Sequence, residues 1–244
     1  MSTESLIIPQ WPAPPWVRAF STTRTGGVSK GAFASLNLAQ HVGDQRADVV
    51  KNRQILVNVA QLPAEPDWLE QVHGRQIINI DSSVDRRADA GFATKGNQVC
   101  VVMTADCLPI LLCHQSQPTV AAVHVGWRGL AAGIIEASLN TLPGASSEYM
   151  AWLGPAIGPK KFEVGHDVFE ALALCDDSKQ CFTANRKGHW YADLYRLATL
   201  RLAQCGVSAV FSEDLCTSTD SERFFSYRRD GETGRMASLI WIAD

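Results

Sequence analysis

QVCVVMTADCLPILLCH, residues 98–114, holds two apolar runs rich in Val, Ile and Leu on either side of the step Thr104-Ala105-Asp106-Cys107. Such runs read as two strands joined by a short turn. Cys107 then stands at a strand tip, beside a carboxylate and two residues before Pro109. That is a rim position rather than a mid-core one, and rims are where a side chain is both fixed and accessible. The plainer reading is one more buried thiol.

RQIINI (75–80), TVAAVHV (119–125), VSAVF (207–211) and MASLIWI (236–242) are further strand candidates. Asp44 stands where it would cap a helix carrying Val49, Leu56, Val59 and Ala60 on one face, stopped by LPAEP at 62–66. Residues 127–142 predict a second helix ending at Pro143-Gly144, and 166–175 a shorter one. Asp193 opens a helix with Leu194, Leu197, Ala198 and Leu202 on one face and Gly206 just past its end. Strands cluster centrally with short connections while helices follow irregularly. The predicted class is α+β, a layered sandwich of mixed sheets flanked by helices. With no repeat, low-complexity tract or long linker, residues 1–244 are expected to form a single domain.

The 244 residues are 46% hydrophobic, enough for a sizeable core, and carry 22 Lys plus Arg against 25 Asp plus Glu. A net charge of −3 gives no electrostatic case for nucleic acid or an anionic membrane, so a small-molecule partner is expected. No apolar stretch approaches the roughly 20 residues of a membrane span. MSTESLIIPQWPAPP lacks the basic start and long apolar stretch of a signal peptide. Seven scattered cysteines without a CxxC pair read as reduced thiols, and the expected compartment is the cytoplasm.

TVAAVHVGWRG places His124 near a strand end before a glycine-flanked turn, and LEQVHGRQ places His73 at a turn just ahead of 75–80. Either histidine alone is more often structural. Two histidines and a thiolate at strand ends fit a zinc site with three protein ligands and an open fourth position. Spacings of 34 and 17 residues resemble no closed zinc finger.

The segments STTRTGGVS, SLNLAQHVGD, WLEQVHG, MTADCLPILL, HVGWRGLAAG, WLGPAIGP, FEVG and FFSYRRDGETGRMAS, in that order, resemble the YfiH-type bacterial laccase-domain family, also called polyphenol oxidases. The resemblance runs from about residue 7 to 242, with Val125 where the family usually has alanine. It implies zinc held by His73, Cys107 and His124, with copper in some members. It also implies phosphorolysis of adenosine, inosine and methylthioadenosine, deamination of adenosine, and a link to editing of peptidoglycan precursors.

Phosphorolysis needs cations for phosphate, and Arg24, Arg128 and the Arg228–Arg229 pair are candidates. The family motifs favour Arg128 and Arg229. As strand residues, Arg228 and Arg229 would point to opposite faces, letting at most one into the site. Asn37 and His41 are candidates for ribose hydroxyls, and Trp68, Trp127 and Trp152 for stacking on a purine. Lys160-Lys161 reads as a solvated corner. The HxE…PCxxC signature of zinc deaminases is absent. Asp106 or Glu70 is therefore expected either as proton acceptor or as a support for a ligating histidine. Three other readings compete: a copper polyphenol oxidase, a metal-free Cys107–His124 hydrolase acting on a cell-wall precursor, and a binding protein with structural zinc. Six histidines without one HxH argue against a trinuclear copper centre.

Overall fold

Two sheets stacked face to face share the 98–114 stretch, one strand in each. In this computed structural model residues 6–243 are described; residues 1–5, the start of the N-terminal segment considered above, and residue 244 lie outside the described residues. The first sheet has the order β1-β2-β13-β5, with β1 Leu6–Ile7, β2 Val17–Thr22, β5 Val99–Thr104 and β13 Met236–Ile242. The second has the order β12-β8-β6-β7-β4-β3. It comprises β3 Ile77–Asn79, β4 Ala90–Ala93, β6 Leu108–His114, β7 Val120–Val125, β8 Tyr149–Leu153 and β12 Ala209–Ser212. A small third sheet joins β9 Glu163–Gly165, β10 Phe182–Ala184 and β11 His189–Ala192.

Alternation along each strand decides which layer a side chain joins. Cys100 and Val102 of β5 and Ile240 of β13 meet Leu111, Val120, Ala122 and Trp152 between the sheets. Ile110, Leu112, Ala121 and Val123 turn the other way, onto the helices α2 Trp127–Ala132, α3 Ile134–Thr141 and α6 Leu194–Gln204. On the far side, Val99, Val101 and Leu239 pack with Leu56 of α1 Arg46–Val59. Strands covered on both faces need no polar alternation, which is why 98–114 is nearly unbroken apolar sequence. Each fully buried Leu or Ile contributes about 1.5–3 kcal/mol of transfer free energy. The α+β layered sandwich expected from sequence is the architecture found.

Local differences have physical causes. The 127–142 helix is split by Gly133 at φ 86°, a left-handed residue that ends α2 and starts α3. Asp44 does not cap α1 through its side chain; Gln45 is the cap residue, and Asp44 Oδ2 accepts from Ser29 Oγ and Asn37 Nδ2. Asp193 does cap α6, accepting from Arg196 N at 3.0 Å. Arg228 and Arg229 lie in a helical turn, α7 Tyr227–Asp230, following the short helices α4 His166–Leu172 and α5 Asp176–Lys179. All seven cysteines are free thiols; Cys100, Cys113 and Cys181 are buried, whereas Cys175 is exposed. Among the described residues, no helix is long and apolar enough to cross a membrane.

Candidate metal centre

The turn from β5 to β6 delivers Cys107 to the rim of the second sheet. In the antiparallel register Pro109 pairs with His124 and Leu108 with Val125, which sets Cys107 beside the end of β7. His73 arrives from the loop before β3 at φ 58°, held by its backbone N–H on Asp89 Oδ1 at 2.9 Å. The three side chains converge. Cys107 Sγ lies 3.9 Å from His73 Nε2, and one donor atom of each residue lies within 4.8 Å of the others. The imidazole rings of His73 and His124 meet edge to face, 4.7 Å between centroids.

Asp89 is the keystone of this arrangement. Fully buried, it accepts from His124 Nδ1 at 2.8 Å, from Gly74 N at 2.7 Å and from Val72 N at 3.3 Å, besides His73 N. Burial pushes its carboxyl up, but the bonds from His124, Gly74 and His73 prevail and hold it below the ordinary value. Its own carbonyl accepts from His124 N at 2.7 Å. With Nδ1 engaged by Asp89, Nε2 is the atom of His124 that would hold a metal, the arrangement in which a carboxylate fixes the tautomer of a ligating histidine.

Electrostatics suit a thiolate. Burial alone would raise the Cys107 thiol, yet the charge of His124 and hydrogen bonds from His124 and His73 bring it down to about 6. Burial likewise opposes an imidazolium at His124, while the Cys107 thiolate and Asp89 raise it to about 9. A bound divalent ion would take the place of that proton. One thiolate and two imidazoles are a donor set for zinc or copper, and a four-coordinate ion of this size wants such donors about 3.3–3.8 Å apart. The donor set can therefore hold a metal ion with little movement.

Two cavities meet at the triad. The first, about 310 Å³, includes His41, Gln71, Met103 and Arg235; the second, about 270 Å³, includes Trp127, Arg128, Ile157, Phe162 and Arg228. His73, Ala105, Cys107 and Tyr227 belong to both.

Residues 18–243 match a family model described as multi-copper polyphenol oxidoreductase laccase. Over 239 residues the chain is 48% identical to a Shigella flexneri protein named purine nucleoside phosphorylase YfiH, covering 97% of this chain and 98% of that protein. The chain belongs to the YfiH laccase-domain family. A Pseudomonas aeruginosa protein, also named a purine nucleoside phosphorylase, is 48% identical over 240 residues, with 98% of each covered. The fold agrees with a Neisseria meningitidis protein of family DUF152 at a TM-score of 0.93 and 43% identity, covering 98% of this chain and 100% of that one. YlmD from Geobacillus stearothermophilus gives a TM-score of 0.93 at 32% identity, covering 100% and 98%.

The remaining candidates in this YfiH-family chain divide sharply. Of the four substrate-binding candidates only Arg128 lines a cavity, its guanidinium 4.3 Å over the Trp127 ring. Arg24 donates to Ala34 O and Ser221 O. Arg229 is taken up by Asp230 and the carbonyls of Thr217 and Phe224, so Arg228 is the member of the pair that lines the site. Asn37 is buried, bonding Ala39, Asp44 and the backbone N–H of Arg235. Trp127 lines the second cavity, whereas Trp152 is buried in the core and Trp68 stacks under Arg53. Lys160 and Lys161 are exposed, as expected. Glu70 is exposed; Asp106 lines the second cavity with its carboxylate bonded to Thr217 and Arg228, and Asp89 is the residue that supports the histidine.

Asp89 and Arg235 are the residues sequence reasoning missed. The only local signal for Asp89 is a single carboxylate between alanines, in RADAG, at the start of an apolar strand. Gly126 is a third. A Cβ there would stand 2.9 Å from His73 Cδ2 and 3.1 Å from Cys107 Sγ. Its φ of −77° suits any residue, so only space forbids a side chain. Gly126→Ala is expected to weaken metal binding by about tenfold or more through displacement of both ligands, read by competition against a chromophoric chelator.

Proposed function

We propose that this chain is a zinc-dependent purine nucleoside phosphorylase acting on adenosine, inosine and methylthioadenosine, with accompanying adenosine deaminase activity in the cytoplasm. The observation that carries this reading is the His73–Cys107–His124 triad beside two cavities that share His73, Ala105, Cys107 and Tyr227 as lining. The names of the Shigella and Pseudomonas relatives support the same chemistry.

Phosphorolysis forms a bond from a phosphate oxygen to C1′ and breaks the bond from C1′ to the base. The electron pair leaves with the purine nitrogen, which takes a proton; ribose 1-phosphate and free base result. The first cavity suits the anion. Arg235 is half-buried beside Cys107; Thr233 O and Gly234 O take its Nη1, which leaves the Nε–Nη2 edge of the guanidinium to face phosphate oxygens. Burial, then Arg235, Arg53 and His73, hold the His41 imidazolium below its ordinary pKa. His41 is thus a neutral hydrogen-bonding partner for phosphate or a ribose hydroxyl at neutral pH. The second cavity offers Trp127, Phe162 and Ile157 as apolar walls for the base, with Arg128 and Arg228 also in its lining. What zinc supplies when bound is positive charge beside the reacting group, polarising an oxygen or acidifying a water. In deamination water's oxygen replaces the amino group at purine C6 and ammonia leaves.

A multicopper oxidase centre is disfavoured by the donor inventory. Among the described residues one group of three donors exists, and no histidine pair of HxH spacing occurs in the sequence. A second reading has its own observation. A Cys107 thiolate paired with a His124 imidazolium, and Asp89 behind it, is also the arrangement of a thiol hydrolase, which would act on an amide such as a peptidoglycan precursor.

Adenosine incubated with and without phosphate, the products separated by chromatography, distinguishes these readings. Adenine appearing only with phosphate supports the phosphorylase, and accompanying inosine supports deamination. Intact adenosine under both conditions moves the hydrolase into first place. Arg235→Gln is expected to raise KM for phosphate by about tenfold or more while kcat changes less, because a charge-assisted contact to bound phosphate is lost. An unchanged phosphate KM would remove Arg235 from the anion site.

A further inference from the structure

Asp106, one residue before Cys107, adopts φ 95°, a conformation uncommon for any residue but glycine. Its side chain is buried, and both carboxylate oxygens serve distant segments. Oδ1 accepts from Thr217 Oγ1 at 2.6 Å, and Oδ2 accepts from Arg228 N at 2.6 Å. Its backbone carbonyl accepts from Ile157 N at 2.9 Å. Two of these segments wall the second cavity, which Ile157, Tyr227 and Arg228 line. From the same turn the Arg228 guanidinium donates to Glu163 O at 2.8 Å and Lys161 O at 3.4 Å, bracing the stretch that contributes Phe162. Asp106 thus ties the backbone beside a metal-ligand candidate to two stretches of the cavity wall, the Tyr227–Arg228 turn through its carboxylate and Ile157 through its main-chain carbonyl.

We infer that Asp106 is a positioning residue whose carboxylate holds the Tyr227–Arg228 turn in register with Cys107, so that the nucleoside pocket keeps its place against the metal centre. The identity of the ligand rests on the phosphorylase reading; the tie itself does not. Asp106 also lines the second cavity, and each of its carboxylate oxygens already accepts a hydrogen bond from the fold, so the geometry favours positioning over proton transfer. Displacement of a pocket wall by about 1 Å is enough to cost large factors in rate.

Two substitutions separate the possibilities. Asp106→Asn keeps a residue tolerant of the left-handed region and can meet both partners, because the Thr217 hydroxyl accepts from an amide as readily as it donates. Asp106→Gly keeps the backbone conformation without strain and deletes the carboxylate. Thr217→Val, which cuts only the Oδ1 arm, serves where the glycine variant folds poorly. The readouts are phosphorolysis kinetics, hydrogen–deuterium exchange over residues 226–230, and the thiolate-to-metal band of cobalt-loaded protein. Asp106→Asn is expected to stay within about threefold of the parent, and Asp106→Gly to raise nucleoside KM about tenfold with a smaller change in kcat. The Arg228 amide should exchange faster in the glycine variant while the cobalt band keeps its position. Thr217→Val should move KM in the same direction by a smaller factor. Loss of kcat in Asp106→Asn at unchanged KM would overturn the inference in favour of proton transfer. Unchanged KM and unchanged Arg228 exchange in Asp106→Gly would overturn it outright. If the parent protein itself performs no phosphorolysis, the functional reading fails separately, and the exchange comparison still decides the tie.

Discussion

Cys107→Ser is expected to abolish turnover and to weaken metal binding beyond the about 10–100-fold that loss of a merely supporting hydrogen bond costs. The reason is charge. The thiol at this position is held down to about 6 and supplies a soft anion at neutral pH, whereas a serine hydroxyl remains neutral and hard. Because Cys107 is only half-buried at the rim of the second sheet, the fold should survive: the metal-free variant and the metal-free parent should melt within a few degrees of each other. Zinc titration by competition and the adenosine assay check the two halves of the expectation. Full activity in Cys107→Ser would sink both the metal enzyme and the thiol hydrolase.

Asp89→Asn carries the second large effect, on stability as well as on metal affinity. Asp89 receives four N–H groups, from Val72, His73, Gly74 and His124. An amide offers one oxygen to those four donors and turns its own N–H groups against the rest. A buried charged network broken at one member costs about 3–5 kcal/mol. Loss of the carboxylate behind His124 should lower metal affinity by about 10–100-fold. The sign of the pH dependence follows from the depressed carboxyl of Asp89. Its contribution is complete above the ordinary aspartate value of about 4 and is lost as pH falls through the folded value. The gap between parent and variant in urea midpoint should therefore be widest at neutral pH and narrow in acid. Equal midpoints at pH 7 and equal zinc affinity would contradict the role assigned to Asp89.

What the sequence revealed was what local pattern controls. The runs at 98–105, 109–114, 119–125 and 236–242 are strands because their apolar, β-branched content suits a layer buried on both sides. Cys107 and His124 were legible because strand tips and glycine turns mark rims. Strands such as Val17–Thr22 and Ala90–Ala93 escaped, the first mixing polar with apolar residues and the second being too short and small. Their formation depends on partners distant in sequence.

The same distance hid half of the site. Asp89 pairs with a histidine 35 residues away, and Arg235 is seated by Asn37 across 198 residues. No periodicity encodes such contacts. Conversely, Arg24 and Arg229 resembled anion binders because sequence displays their charge but conceals the carbonyls and the carboxylate that occupy them.

Zinc-dependent phosphorolysis is tested by one adenosine reaction with phosphate, run on the same preparation before chelation, after it, and after zinc is returned. About one zinc per chain is expected in the active protein, with loss of adenine release when the metal is removed and recovery on adding zinc back to stoichiometry. Adenine release that continues undiminished in metal-free protein would contradict zinc dependence.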